Sequence, residues 1–287
     1  MNKSFLADFS KMIDIKEKAE ELRGEMIKVI CHAGGGHMPA TLSIIDIITV
    51  LYYGILNIDP DNPDDPGRDR FILSKGHACV ALYTVLADKG FFDKQHLGTF
   101  GKCGTILGGH PDMHKIPGVE ASTGALGHGF PFGVGMALSG KLDNAKYRVF
   151  TLLGDGECQE GSVWEAAMFA AHHKLDNLIA IVDFNKQQAM DYLDKIVSLE
   201  PFAEKWRAFG WEVKEVNGHD VNQLLDVFNS CPFVEGRPNL LIAHTTKGKG
   251  VSFMEHEPLW HYRMPNLEEM KIVSKDLGLG DFWMEFE

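Results

Sequence analysis

The segment LLGDGECQEG, residues 152–161, ends an apolar run with an aspartate between two glycines. Glycines let a ligand approach the backbone closely, and a helix that begins here would offer free N–H groups to an anion. The carboxylate of Asp155 would repel a phosphate, unless a divalent cation lay between the two. This pattern therefore indicates a cation–phosphate site, and the alternative is that Asp155 only caps the following helix.

A second oxygen donor ends the next apolar run. The segment LIAIVDFN ends in Asn185, thirty positions after Asp155 (185 − 155) and one strand–helix–strand unit further along the chain. In a right-handed crossover the ends of two such strands are neighbours or near neighbours. Asp155 and Asn185 could therefore supply oxygens to one hard cation such as Mg²⁺, with phosphate oxygens, waters and a backbone carbonyl completing the coordination.

These residues require a sheet that brings the ends of its strands together. After a helical N-terminal region with a glycine break at AGGGH, apolar segments such as RFILSKGH, VFTLLGDG, LIAIVDFN and PNLLIAHT alternate with helical ones. This alternation predicts an α/β fold, a doubly wound and mainly parallel sheet with helices on both faces and ligands at the carboxyl ends of its strands. The helix after Asp155 is predicted to carry an apolar stripe of Trp164, Ala167, Met168 and Ala171. We expect residues 1–287 to form a single domain.

Composition and charge argue against several classes of function. The net charge of −12 is unlike that of nucleic-acid-binding proteins, which usually carry a basic face. Five cysteines without a close pair or metal-ligand spacing suggest free thiols in a reducing compartment. The N-terminal segment has no continuous apolar stretch of the signal-peptide type, and no segment approaches the length of a membrane span. We therefore expect a cytoplasmic protein that acts on neither nucleic acid nor membrane.

The GDG motif followed after about thirty residues by Asn resembles the thiamine-diphosphate motif. Further segments resemble transketolase and stand in the order of that family: HAGGGHMPATLS (32–43), DRFILSKGHA (69–78), GGHPD (108–112), GVEASTGALGHG (118–129) and TTKGKGVSF (245–253). The resemblance covers nearly the whole chain and implies the diphosphate-binding domain of a transketolase. It also implies that the pyrimidine-binding domain, with its activating glutamate, and the C-terminal domain lie on a partner chain.

The resemblance assigns roles to particular residues. It implies that Asp155, Asn185 and the backbone carbonyl of Gln187 bind Mg²⁺. It implies that the thiamine diphosphate contacts come from His77, Gly124, Leu126, Gly154, Asp155, Gly156, Glu160, Asn185 and His261. Catalytic or substrate-binding roles would belong to His37, His110, His261 and Glu160. Glu160 would also help to link two active sites across a subunit interface. The alternative interpretation is that Glu160 is only an acidic residue at the start of a helix, where the helix dipole favours it.

The sequence departs from the family pattern at three of these segments. Ala125 stands where the family often has proline, and Met38 stands directly after His37 where the family commonly has proline. Tyr262 follows His261 in place of the usual glycine, which leaves His256 as an alternative for the family histidine.

Three other side chains have two interpretations each. Lys247 and Lys249, at another predicted strand end, could face a phosphate or lie in a solvated loop. Cys158, inside the motif, is predicted to be a packed small residue rather than a nucleophile.

The function implied by the resemblance is the transfer of a two-carbon ketol unit from a ketose phosphate to an aldose, in an α₂β₂ assembly. Histidines suit such a site because their proton affinity lies near working pH. One alternative is the diphosphate-binding subunit of a 2-oxo acid dehydrogenase or a related ligase, which leaves SKGHA, GGHPD and TTKGKG unexplained. Another is a noncatalytic regulatory subunit, against which the intact Asp155, Asn185 and histidines count. The sugar stays open among pentose phosphates and branched or sulfonated ketoses.

Overall fold

The computed structural model describes the backbone of residues 3–286 and the side chains of residues 14–286. The strands in this part of the chain are β1 (Arg70–Leu73), β2 (Val149–Gly154), β3 (Leu178–Phe184), β4 (Glu212–Asn217) and β5 (Asn239–His244). The α-helices there are α1 (Lys3–Ala33), α2 (Met38–Leu42), α3 (Ile45–Val50), α4 (Cys79–Lys89), α5 (Gly129–Leu142), α6 (Gly161–His172), α7 (Leu193–Ile196), α8 (Phe202–Ala208), α9 (Val221–Asn229) and α10 (Leu267–Asp276).

The five strands form one sheet in the order β1-β2-β3-β5-β4, and every neighbouring pair is parallel. The predicted α/β fold with a parallel sheet is therefore confirmed. Gly154 on β2 lies opposite Asp183 on β3, which in turn lies opposite Ala243 on β5. Because the strands end at the same level, the residues that follow them meet at one edge of the sheet.

Both faces of the sheet are buried along β1, β2, β3 and β5, which explains their nearly continuous apolar sequences, whereas the edge strand β4 is largely exposed. Successive side chains of a strand point to opposite faces. On β2, Phe150 and Leu152 join the core beneath α1, α3, α4 and α9. Val149 and Leu153 on the same strand join a second core beneath α5, α6 and α8.

The apolar stripe predicted for α6 is wrong at Met168, whereas Ala167 is buried and Trp164 and Ala171 pack partly buried against the core. The side chains that α6 buries are Val163, Ala166, Ala167 and Ala170. Met168, which was predicted to face the core, is 55% exposed, and Phe169 beside it is 44% exposed. The sequence of α6 is apolar on more than one side, so two registers at helical spacing fit it equally well.

The N-terminal region is helical with the predicted glycine break. Helix α1 ends at Ala33, and Gly34 follows in a left-handed conformation with φ of 67°, which glycine adopts without a steric penalty. Helix α2 begins four residues later and buries all of its side chains. Between residues 3 and 286, no helix has the length and apolar character needed to cross a membrane.

Candidate functional site

A cleft of about 300 Å³ opens at the carboxyl edge of the sheet, among the residues that follow β1, β2, β3 and β5. Most residues that the sequence singled out line this cleft, namely His37, His77, Gly124, Leu126, Gly154, Asp155, Gly156, Asn185, Gln187, Lys247 and His261. They come from distant parts of the chain, and only the parallel topology brings them together. The cleft is therefore the candidate site.

Two of the predicted residues lie beside the cleft rather than in its wall. His110 packs against Gly124, because a Cβ at position 124 would lie 3.1 Å from Cδ2 of His110. Glu160 is exposed at the start of α6 and packs against Gly127, where a Cβ would lie 2.7 Å from Cβ of Glu160. Glu160 therefore does not line the cleft with the other predicted residues.

The structure bears on three choices that the sequence analysis left open. His261 lines the cleft, whereas His256 does not, and its carbonyl accepts a hydrogen bond of 2.7 Å from the hydroxyl of Tyr192. Lys247 lines the cleft, whereas Lys249 forms an ion pair of 3.3 Å with Glu255 away from it. Cys158 is buried and its Sγ donates to the carbonyl of Gly154, so it packs as a small residue.

The floor of the cleft holds two oxygen donors at the ends of neighbouring strands. Asp155 follows β2 and accepts hydrogen bonds from the backbone N–H groups of Gly156 at 2.7 Å and Lys186 at 2.5 Å. Asn185 follows β3 and its Nδ2 donates to Asp183 at 3.0 Å, so its Oδ1 is turned away from that carboxylate. Burial, followed by the nearby charge of Asp183, raises the pKa of Asp155 to about 7. A bound cation would offset this cost of charging Asp155.

Asp183 is the buried carboxylate that organises this floor, and the sequence pattern did not single it out. It forms an ion pair with Lys75, and it accepts hydrogen bonds from the hydroxyls of Ser43 and Thr245 as well as from Asn185. Burial alone would raise the pKa of Asp183, but Lys75 and the hydroxyls hold it below its usual value. Asp183 therefore stays charged and fixes the amide of Asn185.

Glu157 is a second buried carboxylate that was not predicted, although it stands inside the GDGE motif. It accepts hydrogen bonds from the backbone N–H groups of Gly127 at 3.0 Å and Gly154 at 3.1 Å, and from the hydroxyl of Ser74. Burial raises its pKa. Glu157 thereby ties the segment that carries Gly124 and Leu126 to the end of β2.

Three histidine rings pack against one another on the wall of the cleft. The ring centroid of His37 lies 5.1 Å from that of His77 and 5.1 Å from that of His261. Burial, followed by positive neighbours that include Lys247 and Lys75, lowers the pKa of His37 to about 4. The same causes lower the pKa of His261 to about 3 and that of His77 well below its usual value. All three rings are therefore neutral at pH 7 and can each donate one proton and accept another.

Lys247 is a buried cation in the wall of the cleft. Its Nζ donates to the carbonyl of Gln188 at 2.9 Å and lies 3.0 Å from Nδ1 of His261. An ammonium is a donor only, so Nδ1 of His261 is the acceptor and its Nε2 carries the proton. Burial, followed by the charge of Lys75, lowers the pKa of Lys247 to about 8, which leaves it mainly charged at pH 7.

The depressed histidine pKa values predict a loss of stability in acid. The unfolded chain binds a proton at each histidine near pH 6.5, but the folded chain does so only at lower pH, so the unfolded state holds more protons between these values. The stability contributed by His37, His77 and His261 is thus complete above pH 6.5 and falls as the pH drops toward 4. Asp155 and Glu157, whose pKa values are raised, act in the opposite sense, so the contribution of a histidine is measured as the difference between a variant and the parent chain.

Urea unfolding between pH 4.5 and 6.5 measures this dependence. The slope of the unfolding free energy against pH should fall by up to about 1.4 kcal/mol per pH unit in His261→Asn, which is the contribution of one proton. His244→Asn is the matched control, because His244 is exposed and outside the cleft. An unchanged slope in His261→Asn would contradict the neutral assignment of His261.

Comparison with known proteins identifies the family. The family model described as transketolase, thiamine diphosphate binding domain, matches residues 15–282. The chain is 44% identical over 261 residues to an apulose-4-phosphate transketolase subunit of Phocaeicola vulgatus, covering 91% of this chain and 92% of the relative. It is 42% identical over 260 residues to a 6-deoxy-6-sulfo-D-fructose transketolase subunit of Clostridium sp., covering 91% of this chain and 94% of the relative.

Longer transketolases match over their diphosphate-binding part alone. Human transketolase is 39% identical over 255 residues, which cover 88% of this chain but 40% of that protein. The crystal structure of transketolase from Campylobacter jejuni superposes with a TM-score of 0.86 at 31% identity, covering 92% of this chain and 42% of that one. The fold and the cleft thus define a thiamine-diphosphate-binding α/β domain. The chain belongs to the transketolase family.

Proposed function

We propose that this chain is the diphosphate-binding subunit of a two-chain transketolase that transfers a two-carbon ketol unit from a ketose phosphate to an aldose. The convergence of oxygen donors, one lysine and neutral histidines in one cleft carries this proposal. The share of each relative that the chain covers supports the proposal. The chain covers 92% and 94% of two relatives named as transketolase subunits, but 40% of human transketolase. The remaining functional groups would come from a second chain.

Mg²⁺ fits the oxygen donors on the floor of the cleft. Asp155 offers a carboxylate and Asn185 an amide Oδ1, and the backbone carbonyl of Gln187 is the third proposed protein ligand. Oε1 of Gln187 is buried without a hydrogen-bond partner among the described residues, which marks an unmet need for a cation or a donor. No group of three or more His, Cys, Asp or Glu side chains in that part of the chain is suited to a metal. The proposed site therefore relies on amide, carbonyl and phosphate oxygens, as magnesium sites commonly do.

Lys247 and the tight backbone of the cleft suit a diphosphate. Lys247 is the positive charge available to a ligand here, because Lys75 beneath the cleft is already paired with Asp183. Gly156 leaves no room for a side chain, because a Cβ there would lie 2.8 Å from Cγ of Gln188. We propose that Lys247 and the segment around Gly156 hold the diphosphate, with Gly154 beneath it. Gly124 and Leu126 would hold the ring system of thiamine diphosphate.

When bound, thiamine diphosphate supplies the electron sink for cleavage and formation of the C–C bond. The residues of this chain orient the sugar and move protons at its hydroxyl groups. His37 is neutral and can accept a hydroxyl proton and return it, whereas His261, whose Nε2 carries its proton, can donate a hydrogen bond to the sugar, and His77 lies beside both rings. A histidine in this role typically accelerates a reaction by roughly 10²–10⁴-fold.

The partner proposed for this chain carries the pyrimidine-binding domain and the activating glutamate, in an α₂β₂ assembly. Glu160 is exposed at the start of α6 and would meet another chain there. All five cysteines are free thiols in this structure, which fits a cytoplasmic location.

The proposed function is tested by an activity assay of this chain mixed with a candidate partner chain. The candidate is the product of the gene that neighbours the gene for this chain. Thiamine diphosphate, Mg²⁺ and an aldose acceptor are supplied with three alternative donors: a pentulose phosphate, apulose 4-phosphate and 6-deoxy-6-sulfo-D-fructose. We expect ketol transfer from one of these donors by the mixture and none by either chain alone.

Substitutions of the proposed catalytic histidines sharpen the assay. His37→Asn and His110→Asn should each lower kcat/KM by about 100-fold or more. His114→Asn is the matched control, because His114 is exposed on the same loop as His110. A mixture that binds the cofactor but transfers from none of the donors would contradict the proposal.

A further inference from the structure

A partly buried histidine outside the cleft is bonded to the segment that carries Lys247. His219 follows β4, and its Nδ1 lies 2.7 Å from Oδ2 of Asp46 on α3. Its Nε2 lies 2.9 Å from the backbone nitrogen of Thr246. A backbone N–H is a donor only, so Nε2 accepts from Thr246 and Nδ1 donates its proton to Asp46.

Arg23 on α1 extends this contact to the other end of the same segment. Its Nη2 donates to both carboxylate oxygens of Asp46, at 2.8 and 2.7 Å. Its Nη1 donates to the carbonyl of Lys249 at 3.1 Å. Burial would raise the pKa of Asp46, but His219 and Arg23 hold it below its usual value, so the carboxylate is charged. The side chains of Arg23, Asp46 and His219 are bonded to one another, and we name them the clamp. The clamp therefore forms hydrogen bonds to both ends of residues 246–249.

Lys247 lies between the two ends of the clamp and reaches into the cleft. None of the three clamp residues lines the cleft. The N–H of Gly248 donates to the carbonyl of Pro39 at 3.0 Å, and its φ of 81° allows only a residue without a side chain to turn here without strain. The backbone of residues 246–249 is thus bonded at three successive points while Lys247 alone points at the site.

We propose that His219 is a positioning residue, which, with Asp46 and Arg23, holds residues 246–249 so that Lys247 faces the diphosphate. This inference rests on the proposed function, because it assigns the purpose of the clamp to that site. A ring with two nitrogens suits the position because it accepts from a backbone amide on one side and donates to a carboxylate on the other. A purely structural role for His219 would affect stability and would not depend on Lys247.

A double-mutant cycle separates these two roles. The probe is inorganic pyrophosphate with Mg²⁺, titrated into the full chain, which tests the diphosphate half of the site without a partner. Lys247→Ala should weaken binding about tenfold or more, as for the loss of a charged hydrogen bond. His219→Phe should weaken binding about tenfold in the parent chain and hardly at all in the Lys247→Ala chain, because residues that act through one another are not additive. His244→Phe is the control, since His244 is also paired with a carboxylate, Glu215, but is exposed and does not touch residues 246–249.

Hydrogen exchange of the amides of residues 245–250 provides a readout that needs no ligand. We expect faster exchange there in His219→Phe than in His244→Phe, with equal exchange in the sheet. Two results would overturn the inference. One is a fold-loss of pyrophosphate affinity in the double variant that equals the product of the two single fold-losses, and the other is unchanged amide exchange of residues 245–250 in His219→Phe. If the parent chain does not bind pyrophosphate, the proposed diphosphate site is contradicted. The exchange experiment alone then decides whether His219 holds residues 246–249 in place. If His219→Phe does not fold, His219→Leu replaces it, because its side chain can neither accept from the N–H of Thr246 nor donate to Asp46.

Discussion

The substitution Asp155→Ala is expected to abolish Mg²⁺-dependent binding of thiamine diphosphate. Asp155 is the one carboxylate among the three proposed protein ligands, and it lies at the floor of the cleft. Mutations of residues that only support a metal ligand typically cost 10–100-fold in affinity, so loss of the ligand should cost at least about 100-fold. Calorimetric titration of the cofactor with Mg²⁺ into the two-chain mixture measures this loss.

Two further variants control this experiment. Asp194→Ala removes an exposed carboxylate on α7, a few residues beyond Gln187, and should leave cofactor affinity unchanged. Asp155→Asn should lose binding without losing stability, because burial raises the pKa of Asp155 to about 7 and its charge is unfavourable in the free chain above that pH. Retained cofactor binding in Asp155→Ala would contradict the assignment of the metal site.

The substitution Asp183→Ala is expected to destabilise the chain by about 3–5 kcal/mol. Asp183 is fully buried and its partner Lys75 is 2% exposed, so the substitution leaves a buried ammonium without a counter-ion. It also removes the acceptor of Ser43, Thr245 and Asn185. Urea unfolding at pH 7 measures the difference in the free energy of unfolding.

The double substitution Lys75→Met with Asp183→Asn tests the cause of this effect. It removes both charges and keeps an amide that can bond to the hydroxyls, so most of the stability should return, as it does when buried ion pairs are replaced together. The same protein should bind the cofactor less tightly than the parent chain, because Asn185 has lost the carboxylate that orients it. If Asp183→Ala costs less than about 1 kcal/mol, the ion pair is not what holds this floor together.

The fold and the proximity of Asp155 and Asn185 could be predicted from the sequence for a physical reason, whereas the other residues of the cleft were implied by the resemblance to transketolase. Apolar strands with both faces buried predict a parallel sheet, and the ends of parallel strands lie at one edge. Asp155 and Asn185 follow two such strands, so their proximity depended only on topology. The choice between His256 and His261 could not be made in this way, because both histidines lie in an irregular segment after the last strand.

The supporting residues could not be predicted because their partners are far apart in the chain. Asp183 stands in an apolar strand, and nothing in its surroundings indicates an ion pair with a lysine 108 positions away. His219 and Asp46 are separated by 173 positions and belong to different elements. The exposure of Met168 was missed for another reason, since the sequence of α6 offers two apolar stripes and only packing selects between them.

We propose that this chain, which matches about two fifths of human transketolase, completes its cofactor site with a second chain. The most direct test is calorimetric titration of thiamine diphosphate with Mg²⁺ into this chain alone, into the product of the neighbouring gene alone, and into their mixture. We predict tight, Mg²⁺-dependent binding by the mixture and much weaker binding by either chain alone. Equally tight binding by this chain alone, or no binding by the mixture, would contradict the claim.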